Sequence, residues 1–132
     1  MILYVYTDGA SRGNPGHAGI AYVIYNEDKE ILDKFSKYIG ETTNNVAEYM
    51  ALLMALEKVT HYKPKFVYFY LDSELVVKQL KGEYKIKSKN LVEIYKKIKN
   101  YISDINCRFE HIPRNSNKIA DKLAKDASYN IK

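Results

Sequence analysis

One cysteine, Cys107, stands among the 132 residues. No internal disulfide can form, so no oxidising compartment is required. That cysteine and the three histidines show no tetrahedral zinc spacing. Tryptophan is absent, and no apolar run approaches the roughly 20 residues of a membrane span. The opening Met1-Ile2-Leu3-Tyr4-Val5-Tyr6 has no basic leader and turns polar at Thr7-Asp8. It reads as neither signal peptide nor membrane span, which points to a cytoplasmic protein. No internal repeat or low-complexity segment occurs. At 46% apolar and 28% charged the composition is globular, which excludes a collagen, a mucin-like stalk and an acidic tail. The length suits a single domain over 1–132.

The formal charge of +5 is uneven. Residues 81–100 carry seven lysines (81, 85, 87, 89, 96, 97 and 99) against Glu83 and Glu93, so the rest of the chain balances. Tyr84, Tyr95 and Tyr101 are interleaved with these lysines. Either a phosphate-contacting face or a solvated, lysine-rich helix fits this pattern.

Residues 1–8 read as a strand ending in Asp8, followed by a run of turn formers from Gly9 to Gly16. Further strands are expected over 19–25 and 30–39, making an antiparallel meander with the first. Residues 45–59 lack Gly and Pro and predict a heavily packed helix. Asn45 is its expected N-cap, with Glu48 three residues on. A strand over 65–71 ends in Asp72, and a short helix spans 73–80. Helical spacing covers 90–102, a last strand 105–112, and a final helix 117–128. Strands separated by helices should be parallel. The expectation is an α/β fold, a five-stranded mixed sheet with helices on both faces.

Two strands that end in Asp place Asp8 and Asp72 at one sheet edge, where open α/β sheets bind ligands. Each alone also fits a turn or N-cap. Glu48 falls among Ala51, Leu52 and Ala55, where an ionised carboxylate is costly unless paired, cation-bound or serving a cap. Asp121 near the start of the last helix suits the macrodipole. Together such acids repel unless cations hold them, and oxygen ligands suit Mg²⁺ or Mn²⁺. Opposite a lysine-rich face, this suggests metal-dependent phosphodiester hydrolysis.

Four blocks carry a family resemblance: Thr7-Asp8-Gly9-Ala10-Ser11-Arg12-Gly13-Asn14-Pro15-Gly16, then Asn44-Asn45-Val46-Ala47-Glu48-Tyr49-Met50-Ala51-Leu52, then Asp72-Ser73 with Val76-Val77 and Gln79, then Asn117-Lys118-Ile119-Ala120-Asp121. In this order they resemble type 1 ribonuclease H, and Gly82-Glu83-Tyr84-Lys85 with His111-Ile112-Pro113-Arg114 resembles its compact archaeal and bacterial subgroup. The resemblance implies a ribonuclease H-like fold and a monomeric endonuclease that hydrolyses the RNA strand of RNA/DNA hybrids. It implies two Mg²⁺ ions, with Mn²⁺ as a substitute, held by Asp8, Glu48, Asp72 and Asp121, and products with 5′-phosphate and 3′-hydroxyl ends. Glu48, Ser73 and the backbone around Gly9, Ala10 and Arg12 would read the RNA 2′-hydroxyl. Asn14, Asn44 and Asn45 would contact the hybrid, while Lys85, Lys87, Lys89 and Arg114 would meet phosphates.

The chain departs from the family pattern at Glu74, where a Gln often follows the Asp-Ser pair. It lacks the glycine-rich loop with a catalytic histidine and the basic protrusion of larger relatives. His111 is accordingly expected to be structural. Cleavage of double-stranded RNA, a silent nucleic-acid-binding module and a phosphate-monoester hydrolase are the alternatives.

Overall fold

The computed structural model describes residues 1–131. Strands β1 (Ile2–Gly13), β2 (Gly16–Tyr25) and β3 (Ile31–Thr42) form an antiparallel meander. Helix α1 (Asn44–Tyr62) then leads to β4 (Phe66–Leu71), α2 (Glu74–Leu80), α3 (Lys89–Ile102), β5 (Cys107–His111), a single 3₁₀ turn (Arg114–Ser116) and α4 (Lys118–Ser128). The sheet order is β3-β2-β1-β4-β5. Strands β1, β4 and β5 are mutually parallel, as the helical crossovers require.

Alternation along β1 divides the two faces. Leu3, Val5, Val67 and Phe69 are fully buried in the core they form with Leu52, Leu56 and Val59 of α1 and Ile98 of α3. The opposite face carries α4, whose buried residues Ala120, Ala124 and Ala127 are small. A Cβ on Gly19 of β2 would lie 2.3 Å from the Ala124 carbonyl oxygen, so the glycine permits this close packing. Beyond α4 this face bears a half-buried tyrosine ladder, in which Tyr4 stacks on Tyr68 and Tyr6 on Tyr70.

Two local expectations are corrected. The first strand does not end at Asp8, and Gly9 to Gly16 is not a loop. Strand β1 runs on to Gly13 paired with β2, from Gly9↔Ile20 to Gly13↔Gly16, leaving only Asn14-Pro15 to turn. Gly9 serves contact with α1, and Gly13, at φ 120°, serves the turn. Likewise Asn45 is not the N-cap of α1. Thr43 is, its hydroxyl accepting from the Val46 N–H at 3.2 Å. The anticipated Asn45–Glu48 capping pair is therefore absent, and Glu48 has another partner.

Candidate active site

Parallel pairing of β1 and β4 ends at the rung Thr7↔Leu71. The next residue on each strand is an aspartate, Asp8 or Asp72, so one rung delivers both acids to the same edge. Glu48 arrives from α1, which lies close over β1 because Gly9 has no side chain: a Cβ there would sit 2.2 Å from the Ala47 carbonyl carbon. The Gly9 N–H donates to Glu48 Oε1 at 2.6 Å. Asp8, Glu48 and Asp72 each bring one carboxylate oxygen within 4.8 Å of the others. Asp8 and Glu48 are each only 4% exposed. Asp121, in the first turn of α4, approaches Asp8 and lines the same cleft.

Burial is the largest influence raising the Asp8 pKa, reinforced by its hydrogen bond to Glu48 and by the Glu48 and Asp72 charges. Glu48 is also raised by burial, against the opposing hydrogen bonds from Asp8 and the Gly9 N–H and the Arg114 charge. Two carboxyls so placed share a proton unless a cation compensates. An all-carboxylate oxygen donor set fits a hard divalent cation such as Mg²⁺ or Mn²⁺.

The cleft holds about 440 Å³, and Gly9, Ala10, Ser11, Asn44, Ser73, Arg114 and Lys125 complete its wall. Ser73 also caps α2, accepting from the Val76 N–H at 3.3 Å. Asn14 at the hairpin tip accepts from the Asn44 N–H at 3.0 Å, which fixes the start of α1 beside the cleft. The Gly9 N–H is already engaged by Glu48.

Other expected residues lie outside the cleft lining. The Arg12 side chain reaches the other end of α4, donating to the Ser128 carbonyl from Nε at 3.3 Å and Nη2 at 3.1 Å, and its guanidinium sits 4.0 Å from the Tyr129 ring centroid. Asn45 is half-buried in the first turn of α1. Lys85 and Lys87 are exposed on the segment after α2, and Lys89 is exposed at the start of α3. His111 ends β5 near Glu74.

Sequence reasoning missed Ser11 and Lys125. The Lys125 signal was its spacing of four from Asp121 on one helix, and its Nζ lies 3.2 Å from Asp121 Oδ2.

Residues 6–127 match a family model described as reverse transcriptase-like. A solved structure of LC11-RNase H1 in complex with an RNA/DNA hybrid is 45% identical, with a TM-score of 0.90, over 95% of each chain. The RNase H1 structure from the halophilic archaeon Halobacterium salinarum is 35% identical, with a TM-score of 0.91, covering 96% of this chain and 97% of that one. The chain belongs to the type 1 ribonuclease H family.

These two solved structures share its fold over nearly the whole of each chain. Some relatives are longer. The chain spans 63% of the curated ribonuclease HI from Halobacterium salinarum, at 36% identity and covering 95% of this chain. It spans 35% of the bifunctional protein Rv2228c from Mycobacterium tuberculosis, at 36% identity and covering 96% of this chain.

Proposed function

We propose that this chain is an endonuclease that hydrolyses the RNA strand of RNA/DNA hybrids, leaving 5′-phosphate and 3′-hydroxyl ends. The observation that carries this reading is the meeting of buried Asp8 and Glu48 with half-buried Asp72 in one open cleft. Asp8, Glu48, Asp72 and Asp121 would hold two Mg²⁺ ions, or Mn²⁺ in their place. Bound there, the ions supply the positive charge that activates water and stabilises the leaving oxygen.

The chain's own groups do the rest. Arg114 and Lys125 put positive charge on the cleft wall, where a phosphodiester would lie. The carboxylates exclude a bare phosphate until cations offset them, which makes substrate entry and ion loading interdependent. Glu48 has one oxygen engaged by the Gly9 N–H, which fixes its orientation, and once cations displace the proton it shares with Asp8 its carboxylate would be able to accept from a 2′-hydroxyl. Ser73 and the Ala10 backbone also line the cleft, within the region that would read that hydroxyl. Since DNA lacks the 2′-hydroxyl, this contact selects the RNA strand. Asn14 and Asn44, joined by their hydrogen bond, and Asn45 beside them form a polar shelf at the start of α1 for the paired strand. Lys85, Lys87 and Lys89 form an exposed basic strip for phosphates outside the cleft, a salt-dependent contribution.

The test is a panel of labelled RNA/DNA, RNA/RNA and DNA/DNA duplexes in Mg²⁺, Mn²⁺ or EDTA. We expect RNA-strand cleavage in the hybrid with either ion and none in EDTA. An uncut hybrid with every ion would overturn the reading. Cleavage of RNA/RNA would widen the substrate class to any duplex that offers the 2′-hydroxyl.

A further inference from the structure

Asn117 begins α4 but does not cap it: no side-chain hydrogen bond closes that helix start. Asparagine at such a position ordinarily accepts from a first-turn N–H through its Oδ1. Here the residue is 2% exposed, and its Oδ1 has no partner among the described residues. A buried unpaired acceptor and a forgone cap both cost stability. The fold retains both because the other end of the amide is engaged elsewhere.

Asn117 Nδ2 donates to the Thr7 carbonyl oxygen at 2.9 Å and to Asp72 Oδ2 at 3.1 Å. Thr7 belongs to the last parallel rung of β1 and β4, and Asp8 and Asp72 follow that rung. One amide therefore closes the end of the ladder and holds one oxygen of Asp72. The Asn117 carbonyl accepts from the Asp121 N–H at 3.0 Å. The same residue thus fastens both members of the strand pair and starts the helix that carries the fourth acid.

We infer that Asn117 is the positioning residue that sets Asp72 and α4 against Asp8, and so determines how well the acid cluster receives divalent cations. This rests on the hydrolytic reading above. An aspartate at 117 would keep the shape but set an acceptor against both the Thr7 carbonyl and Asp72 Oδ2. A serine would be too short to reach either partner.

The test compares wild type, Asn117→Ser and Asn117→Asp with Ile98→Val, a trimmed core side chain of α3 far from the cleft. Mn²⁺ binding is measured by calorimetry on free protein without substrate, and kcat and KM on labelled hybrid. We expect both Asn117 variants to bind Mn²⁺ about 10–100-fold more weakly and to lose kcat by a similar factor. Their KM for hybrid should stay within about twofold of wild type, and Ile98→Val should change none of these despite its lower melting temperature. Wild-type Mn²⁺ affinity and kcat in Asn117→Ser would overturn the inference. An equal loss in Ile98→Val would overturn it too, because destabilisation alone would then explain the effect. Asn117→Ser decides the matter if Asn117→Asp does not fold. Failure of the hydrolytic reading is separately visible as wild-type protein that neither binds Mn²⁺ nor cuts hybrid.

Discussion

The Gly9 N–H donates to Glu48 Oε1 across 2.6 Å, joining β1 to α1 where the two backbones pass too close for a side chain at Gly9. The contact explains how a carboxylate can be 4% exposed on a helix otherwise packed with Ala, Leu and Met. It also leaves no room for a side chain at Gly9. The Gly9→Ala Cβ would meet the Ala47 carbonyl carbon at 2.2 Å, so α1 must move outward and carry Glu48 with it. We expect a loss of about 3 kcal/mol, the upper end of what overpacking costs. Thermal and denaturant unfolding check this, and hybrid cleavage should fall with it.

The metal-free protein should be least stable where its acids are ionised. The Asp8 and Glu48 pKa values are both raised from ordinary values of 3.8 and 4.5, chiefly by burial. The folded state therefore holds protons that the unfolded chain releases. Stability in EDTA should fall as pH rises from about 4 through neutrality. Asp8→Asn should flatten that dependence and stabilise the metal-free fold at pH 8 by on the order of 2 kcal/mol. Divalent cations should raise the wild-type melting temperature more than that of the variant. Melting curves across pH, with and without Mg²⁺, test all three statements.

Arg12 separates backbone from side-chain roles within the signature. Its guanidinium caps the Ser128 carbonyl and stacks on Tyr129, away from the acid cleft. Arg12→Ala should lower stability by about 1–2 kcal/mol through the lost charge-assisted hydrogen bonds and cation–π contact. Cleavage per folded molecule should be nearly unchanged. A large fall in kcat without a change in melting temperature would return the side chain to the substrate.

Lys125 pairs with Asp121 across one helical turn, and its side chain is 56% exposed. Lys125→Gln should alter stability by less than about 0.5 kcal/mol, as exposed pairs do. If its charge meets substrate phosphate, hybrid cleavage should fall severalfold. Unchanged kinetics would make it a surface ion pair only.

The basic strip has its own test. Replacing Lys85, Lys87 and Lys89 together by Gln should weaken hybrid binding and reduce the salt slope by about one for each lysine that meets a phosphate. An unchanged slope would mean that these exposed side chains are merely solvated.

The element order and the parallel pairing of β1, β4 and β5 were legible because hydrophobic period and helical crossovers are local signals. Three of the four acids stood out for the same reason: two closed apolar runs of sequence and one interrupted an apolar helix face. Less visible was the hairpin extension of β1, since glycines read as loop whether they serve a turn, as Gly13 does, or a close contact, as Gly9 does. Thr43 displaced Asn45 as the helix cap by a two-residue shift that composition does not resolve. The ties of Asn117 to Thr7 and Asp72 span 110 and 45 residues, beyond any local rule. Lys125 was readable from its spacing to Asp121, but only once Asp121 had a site to belong to.

The most direct measurement is single-turnover cleavage of an RNA-labelled hybrid in Mg²⁺ by wild type, Asp8→Asn and Asp72→Asn, with hybrid affinity measured alongside. We expect wild type to cut only the RNA strand, and both variants to lose at least ~10³-fold in rate, equivalent to several kcal/mol of transition-state stabilisation. Both variants should still bind hybrid. Wild-type rates in either variant would contradict the assignment of hydrolysis to this carboxylate cluster.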